Sequence, residues 1–433
     1  MRIITAFFLI LSLSACQVES TTKTSNPQTN TPSLISDKDK NASGPFFTKD
    51  EKGQAVLVWT EALAAKDATE HIVKFAKWNP STSRFDPPLA VPPSAGCRAH
   101  DESMSKIAFK KDGTIVSVFS KRSPTPKNRF AGALYYTQSF DGGQQWTEAR
   151  YLHVGDTSSG KSRSFFDLAT LADGEVGAIW LDSRLTKKRG DGSSLFFAKT
   201  EGKNGFVKDQ VIGTSTCECC RTDLFVADNG DLHAVYRDIW QDSIRDMSHL
   251  LSIDNGQTFS QAQKVSSDNW VVNGCPHTGP SIGASKDALH CAWFSMGGGQ
   301  GIYYSRTVDG NQPFGPRKLV TNSGVHPQLV TTSTDKLVFL WEERNGSSGL
   351  GHHGHGHHQS STETEKASST TYVKAQIWEN GNPLSEHWIS QADHTAEYPV
   401  ATELADGTIG VAWVQNTQDE GYGIFFRLLH LNI

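Results

Sequence analysis

The octapeptides Ser139-Phe140-Asp141-Gly142-Gly143-Gln144-Gln145-Trp146 and Ser252-Ile253-Asp254-Asn255-Gly256-Gln257-Thr258-Phe259 share one pattern, Ser-x-Asp-x-Gly-x-x-aromatic. It is a turn signal with a local physical logic. The Ser and Asp side chains accept turn amides, and Gly143 or Gly256 takes the positive φ that a tight turn needs. Trp146 or Phe259 then packs an aromatic ring back into the fold. A weaker copy runs from Thr307 through Asp309 to Phe314.

Outward from these turns a longer repeat appears. An apolar run ending in an aromatic recurs at Ala55–Trp59, Ile115–Phe119, Val176–Trp180, Leu232–Tyr236, Leu289–Trp293, Leu337–Trp341 and Ile409–Trp413. Asp112-Gly113, Asp173-Gly174, Asn229-Gly230 and Asp406-Gly407 precede four of them as hairpin turns. Short apolar runs bounded by such turns read as strands buried between sheets. The closing aromatics lie 48 to 72 residues apart, the length of a four-stranded propeller blade. Seven runs predict an all-β, seven-bladed β-propeller of four-stranded antiparallel sheets, with six blades as the alternative. For blade four the expected strands lie near Thr222–Val226, Leu232–Arg237, Ser248–Ser252 and Ala262–Val265. No fourth strand remains before Ile433, so one near Leu34–Ser36 is expected to close the ring.

The octapeptides resemble the Asp box of the sialidase-like propeller superfamily. The resemblance implies that the boxes join the third and fourth strands of a blade, on the face opposite the functional site. They are then structural: Ser139, Asp141, Gly143, Trp146, Ser252, Asp254, Gly256 and Phe259 carry no chemistry. The superfamily's enzymes hold a carboxylate with three arginines, the first in a Phe/Tyr-Arg-Ile-Pro motif, and use a Tyr–Glu nucleophile pair and an Asp acid. This sequence has no Arg-Ile-Pro. Tyr398 is a candidate central tyrosine, but spacing assembles no arginine triad. Asp182 with Arg184, and Arg237 with Asp238, read equally well as loop-tying ion pairs.

The amino terminus assigns a compartment. Arg2 precedes an apolar run, Ile3–Leu13, which has the length of a signal-peptide core and is too short to cross a bilayer. It ends in Leu13-Ser14-Ala15-Cys16, which resembles the bacterial lipobox. This implies cleavage before Cys16 and lipidation of its thiol. Gln17 favours the outer membrane. Residues 1–15 are then the signal peptide and 16–42 a polar, flexible tether. The propeller occupies 43–433. A net charge of −5 offers no electrostatic footprint for nucleic acid.

Unusual residues gather where the first strands begin, on the face away from the boxes. Cys97 and His100 precede blade two, Cys217, Cys219 and Cys220 blade four, Cys275 and His277 blade five, and His326 opens blade six. Two readings stand side by side. In an oxidising envelope these cysteines form disulfides, Cys219 or Cys220 to Cys275 and Cys97 to Cys217. Alternatively they form a thiolate–imidazole site for copper(I) or zinc. Cys291, in mid-strand, reads as a core residue. Within an insertion in blade six, residues 343–371, His352, His353, His355, His357 and His358 sit among glycines, a composition that captures Ni, Cu or Zn. The expected function is an envelope lipoprotein binding copper or zinc on this face. The alternatives are a sialidase-like hydrolase or glycan-binding protein, and a scaffold for another envelope protein with structural disulfides.

Overall fold

A computed structural model describes residues 31–64, 70–155, 160–188, 190–272, 274, 276–308, 310–344, 370–391, 394–417 and 421–431. The chain divides into two units, Met1–Thr31 and Pro32–Ile433. The second unit is built of seven antiparallel sheets. Their first strands are Ala42–Lys49, Lys106–Phe109, Arg163–Thr170, Asp223–Val226, Ser281–Ser285, Gly324–Thr331 and Ala396–Glu403. Each first strand touches the next, and the seventh touches the first, so they line a closed ring. Seven blades are therefore present, and the six-bladed alternative falls away. Blade four runs Asp223–Val226, Leu232–Arg237, Met247–Ser252 and Gln263–Lys264, within a residue or so of expectation.

The apolar runs are the second strands, and they are buried because sheets cover both of their faces. Ala55–Ala62 is buried at every position. Trp59, Trp180, Trp293, Trp341 and Trp413 are among the largest fully buried side chains. An indole N–H in such a place needs a partner. Trp59, Trp180, Trp341 and Trp413 donate to Glu61, Asp182, Glu343 and Gln415, two residues along the same strand. In blade five, where Ser295 takes that place, Trp293 instead reaches Asp268 at 2.7 Å.

Blade seven closes as expected. Ser33 and Leu34 pair with Phe426 and Phe425, and the Ile35 amide continues the ladder to the Ile424 carbonyl at 2.8 Å. The closing strand lies one to two residues earlier than predicted. It falls inside the stretch 16–42, as the strand expected near Leu34–Ser36 does.

The box turns behave as their residues demand. Ser139 Oγ accepts the Gly143 amide at 2.8 Å, and Asp141 Oδ1 accepts those of Gln144 and Gln145. Ser252 accepts the Gly256 amide at 2.9 Å, and Asp254 that of Thr258. Trp146 packs edge-on against Phe75 of blade one, and Phe259 against Phe197 of blade three. Each box thus seals its blade to the preceding one. Gly256 has φ +77°, and a Cβ there would lie 2.2 Å from Phe197. Both full boxes join third to fourth strands, on the face shared by the hairpins between first and second strands. This is the lower face. The crossings between blades, and the loops between second and third strands, form the upper face.

Candidate functional site

The outer strand of blade three, Phe206–Thr216, leads directly into Cys217-Glu218-Cys219-Cys220-Arg221. The Cys217 amide is held by the Arg237 carbonyl at 2.9 Å. Three sulfurs converge here. Cys217 Sγ lies 3.8 Å from Cys219 Sγ and 3.5 Å from Cys220 Sγ, and all three fall within 4.8 Å of one another. All are buried among Phe165, Leu181, Leu195 and Tyr236. No disulfide joins any two of the three.

Charge around the trio is uneven. Burial pushes the Cys220 thiol up, but hydrogen bonds with Cys217 and Cys219, the Arg237 charge and the Thr278 amide outweigh it and hold Cys220 well below the usual thiol range. Cys217 gains from its contact with Cys219. Its contact with the ionising Cys220, together with burial, nonetheless keeps its proton on. The first thiolate of the group therefore forms at Cys220. The segment leading to blade five presses against this loop. A Cβ at Gly279 would sit 2.4 Å from Arg221 Cβ, so only glycine lets the two crossings pass.

Arg237 fastens the same region. Its guanidinium is buried and donates to the carbonyls of Arg245 at 2.8 Å, Thr278 at 3.3 Å and Phe294 at 2.8 Å, lying over the Trp270 ring. The ion pair expected with Asp238 is replaced by these carbonyls. Asp182 and Arg184 do pair, at 2.7 Å, and Arg163 joins them at 3.1 Å.

A second cluster lies at the upper end of the ring. The first strands of blades one, three, six and seven each shift register in their first few residues. Gly44, Phe165, His326 and Tyr398 occupy the shifted positions with φ between +51° and +61°. Left-handed conformations are costly for bulky residues, and such outliers concentrate where a side chain is aimed for a purpose. His326 stacks on Tyr398 with ring centres 4.8 Å apart. Its Nδ1 meets Glu342 at 2.8 Å, and its Nε2 faces Glu102 at 3.6 Å and the His277 carbonyl at 3.1 Å. Arg221 Nε reaches Glu102 at 3.4 Å.

Ionisation in this cluster is graded. Burial opposes the charge on His326, but Glu342 and Glu102 overcome it and raise its pKa to about 9. Burial alone would raise Glu342; His326 holds it low instead. Burial, helped by Glu342 and Asp101, lifts Glu397 to about 7. Burial lifts Asp101 to about 6.

The expected Cys/His set therefore separates. Cys217, Cys219 and Cys220 converge, the one such gathering of three or more metal-ligating side chains among the described residues. His326 belongs to the carboxylate cluster. His100 Nδ1 accepts the amides of Glu102 and Ser103 and caps a helical turn, with its ring against Phe165. Cys97 lies in the core between blades one and two, where burial pushes its thiol up to about 12. It is unbridged, so the predicted Cys97–Cys217 disulfide is corrected: the two cysteines sit in different inter-blade cores. Cys291 is a buried core residue, as read. Cys16, Cys275 and the histidines of 352–358 lie outside the described residues. Glu102, Glu342 and Glu397 were not singled out from sequence. Glu342 directly follows the second-strand Trp341, so its side chain leaves the opposite face from the indole, toward blade seven, where it accepts the Tyr398 amide; that alternation is the available signal.

No family model matches the chain, and no curated protein sequence matches it. Solved structures do. A protein of unknown function from Dyadobacter fermentans is 13% identical with TM-score 0.52, covering 93% of this chain and 98% of its own. The polysaccharide lyase Uly1 is 10% identical with TM-score 0.52, covering 95% and 94%. The K499G mutant of NanB sialidase from Streptococcus pneumoniae is 9% identical with TM-score 0.50, covering 89% and 85%. The fold is a sialidase-like β-propeller. Identities this low speak for the fold alone.

Proposed function

We propose that this protein is an envelope lipoprotein whose upper face binds a soft metal ion, copper(I) or zinc, on the sulfurs of Cys217, Cys219 and Cys220. One observation carries the reading: three buried sulfurs lie within 4.8 Å of one another. A metal–thiolate bond of about 2.3 Å places coordinated sulfurs about 3.8–4.0 Å apart. The separations of 3.5 and 3.8 Å need only small adjustment to reach that. Soft sulfur selects copper(I) and zinc over hard cations. Cys275, three residues before Thr278, is a candidate fourth ligand, and the His-rich segment would capture ions for the site. The apolar run Ile3–Leu13 and the sequence Leu13-Ser14-Ala15-Cys16 supply the anchor.

The test is elemental analysis of protein purified without an affinity column. The expected result is about one tightly held copper or zinc per chain, lost in Cys219→Ser/Cys220→Ser and retained when residues 351–358 are deleted. Metal that disappears with the deletion and survives the cysteine changes would assign binding to the histidines alone.

A second reading rests on the graded carboxyls. Glu342 is held ionised while Glu397 and Asp101 keep their protons toward neutrality. An ionised and a protonated carboxyl side by side is the pairing that glycosidic-bond cleavage uses. Without Arg-Ile-Pro, sialic-acid release is not expected. Turnover of any glycan that Glu397→Gln abolishes, with unchanged metal content, would promote this reading over the first.

A further inference from the structure

We propose that Ser285, at the wall of a cleft on the lower face, is a nucleophile that takes acyl groups from activated esters. This site is separate from the cysteines and from the carboxylate cluster, which lie on the upper face. The cleft has a volume of about 670 Å³ and opens between the hairpins that join first to second strands in blades four, five and six; Asp228, His233, Ser285, Lys286, Thr331 and Asp335 are among the residues lining it. Ser285 ends the first strand of blade five, Ser281–Ser285, and pairs with Ala288. The alternation of side chains along the strands puts Ser285, His290 and Tyr304 on one face of that sheet. There Ser285 Oγ lies 2.8 Å from His290 Nε2, and His290 Nδ1 lies 2.8 Å from the Tyr304 hydroxyl.

A buried imidazole needs partners for both nitrogens, and Ser285 and Tyr304 provide them. His290 and Tyr304 are buried, while Ser285 is half-buried at the cleft wall. The chain of hydrogen bonds therefore ends on a hydroxyl that a molecule in the cleft can reach. In blade four, where Leu232-His233 takes the place of Leu289-His290, His233 Nδ1 instead meets His249 Nε2 at 3.0 Å. A nucleophile within hydrogen-bond reach of a base that a third group orients is the arrangement covalent catalysis uses. The Tyr304 ring is itself fixed edge-on against Phe339 and Trp378 of blade six. Burial, helped by Arg306, holds the His290 pKa near about 4, so the ring is neutral at physiological pH. With Nδ1–H donated to the Tyr304 oxygen, the Nε2 lone pair accepts the Ser285 proton. Oγ then attacks the ester carbonyl carbon as its proton passes to Nε2. The bond to the leaving alcohol breaks, and the alcohol departs with that proton. Water attacks the acyl-serine by the same route, releasing the carboxylic acid and restoring Ser285. Lys286, next in the chain and lining the cleft, offers a cation to the oxyanion formed on the way. Tyr304 is a neutral phenol and stabilises the imidazolium less than a carboxylate does. The substrate class is therefore esters with a good leaving group, aryl esters rather than amides.

The experiment treats the full-length protein with a fluorophosphonate, which loses fluoride as the serine oxygen bonds to phosphorus, and separately with p-nitrophenyl acetate. Mass spectrometry maps the adducts. The expected result is that Ser285 is labelled at least about tenfold faster than any other serine, and that p-nitrophenolate release falls by at least about tenfold in Ser285→Ala, the low end of what general-base assistance supplies. Tyr304→Phe keeps the ring and removes the hydroxyl; it should slow labelling of Ser285 severalfold at an unchanged melting temperature. Cys219→Ser/Cys220→Ser should label like the parent, which keeps this test apart from that of the metal site. Labelling of Ser285 in the parent no faster than that of other serines overturns the proposal, whatever the variants do. So does unchanged ester turnover in a folded Ser285→Ala, which would assign the reaction to surface lysines.

Discussion

Replacing Arg237 with Met should loosen the propeller and the cysteine site together. Met keeps much of the stem's volume and removes a buried guanidinium that spans three carbonyls. Each buried hydrogen bond to a charged group contributes about 1.5–3 kcal/mol. The three share one guanidinium and do not add, and removing one side of a buried charged contact costs about 3–5 kcal/mol. A loss of about 4 kcal/mol is the reasoned value. For a body of roughly 400 residues the unfolding entropy is about 0.8 kcal/mol per kelvin, so the melting temperature should fall by about 5 °C. Arg237→Lys, able to serve one carbonyl at a time, should recover part of this. Arg237 also stabilises the Cys220 thiolate, so in metal-free protein the pH midpoint for alkylation of Cys220 should rise in the Met variant. Thermal denaturation and mass-resolved alkylation read the two effects. A melting temperature within a degree of the parent would refute the view that this arginine stitches blade four to blade five.

Three further outcomes are expected. Asp254→Ala removes the acceptor of the Thr258 amide and should lower the melting temperature by a few degrees while leaving metal content untouched; lost metal with an unchanged melt would contradict a structural box. His326 is protonated in the fold up to about pH 9, above the ordinary histidine value of about 6.5. Its pairing with Glu342 and Glu102 therefore stabilises fully below about pH 6.5 and is lost as pH rises through 9, a decline on the order of 3 kcal/mol. Denaturant titrations across that window should show the decline in the parent and a flatter profile in His326→Gln. Cys16→Ser should abolish partitioning into detergent-rich phase; unchanged partitioning would remove the lipid anchor.

The fold was legible because its signals are local. A box needs only eight consecutive residues to state a turn, and a second strand buried on both faces reads as an unbroken apolar run with its tryptophan. Even the closing strand followed from counting, since blade seven had no fourth strand left. The site was legible in part. Cys217, Cys219 and Cys220 are neighbours in sequence, so their convergence could be read directly. The carboxylate cluster could not. Glu102, His326, Glu342 and Glu397 come from blades two, six and seven and meet only when the ring closes. The register shift that swings His326 and Tyr398 inward leaves no composition signal. His326 was therefore grouped with the cysteines by its place at a strand entrance, whereas its ring nitrogens answer to Glu342 and Glu102.

The central claim is that the three sulfurs hold a metal as thiolates. It is tested most directly by alkylating protein isolated without reductant from its native cells, with and without a strong chelator, and reading Cys217, Cys219 and Cys220 by mass spectrometry. The account predicts that none is in a disulfide, that all three resist alkylation before chelation, and that all three react after the metal is withdrawn. A disulfide at any of them, or equal alkylation with and without chelator, would contradict it.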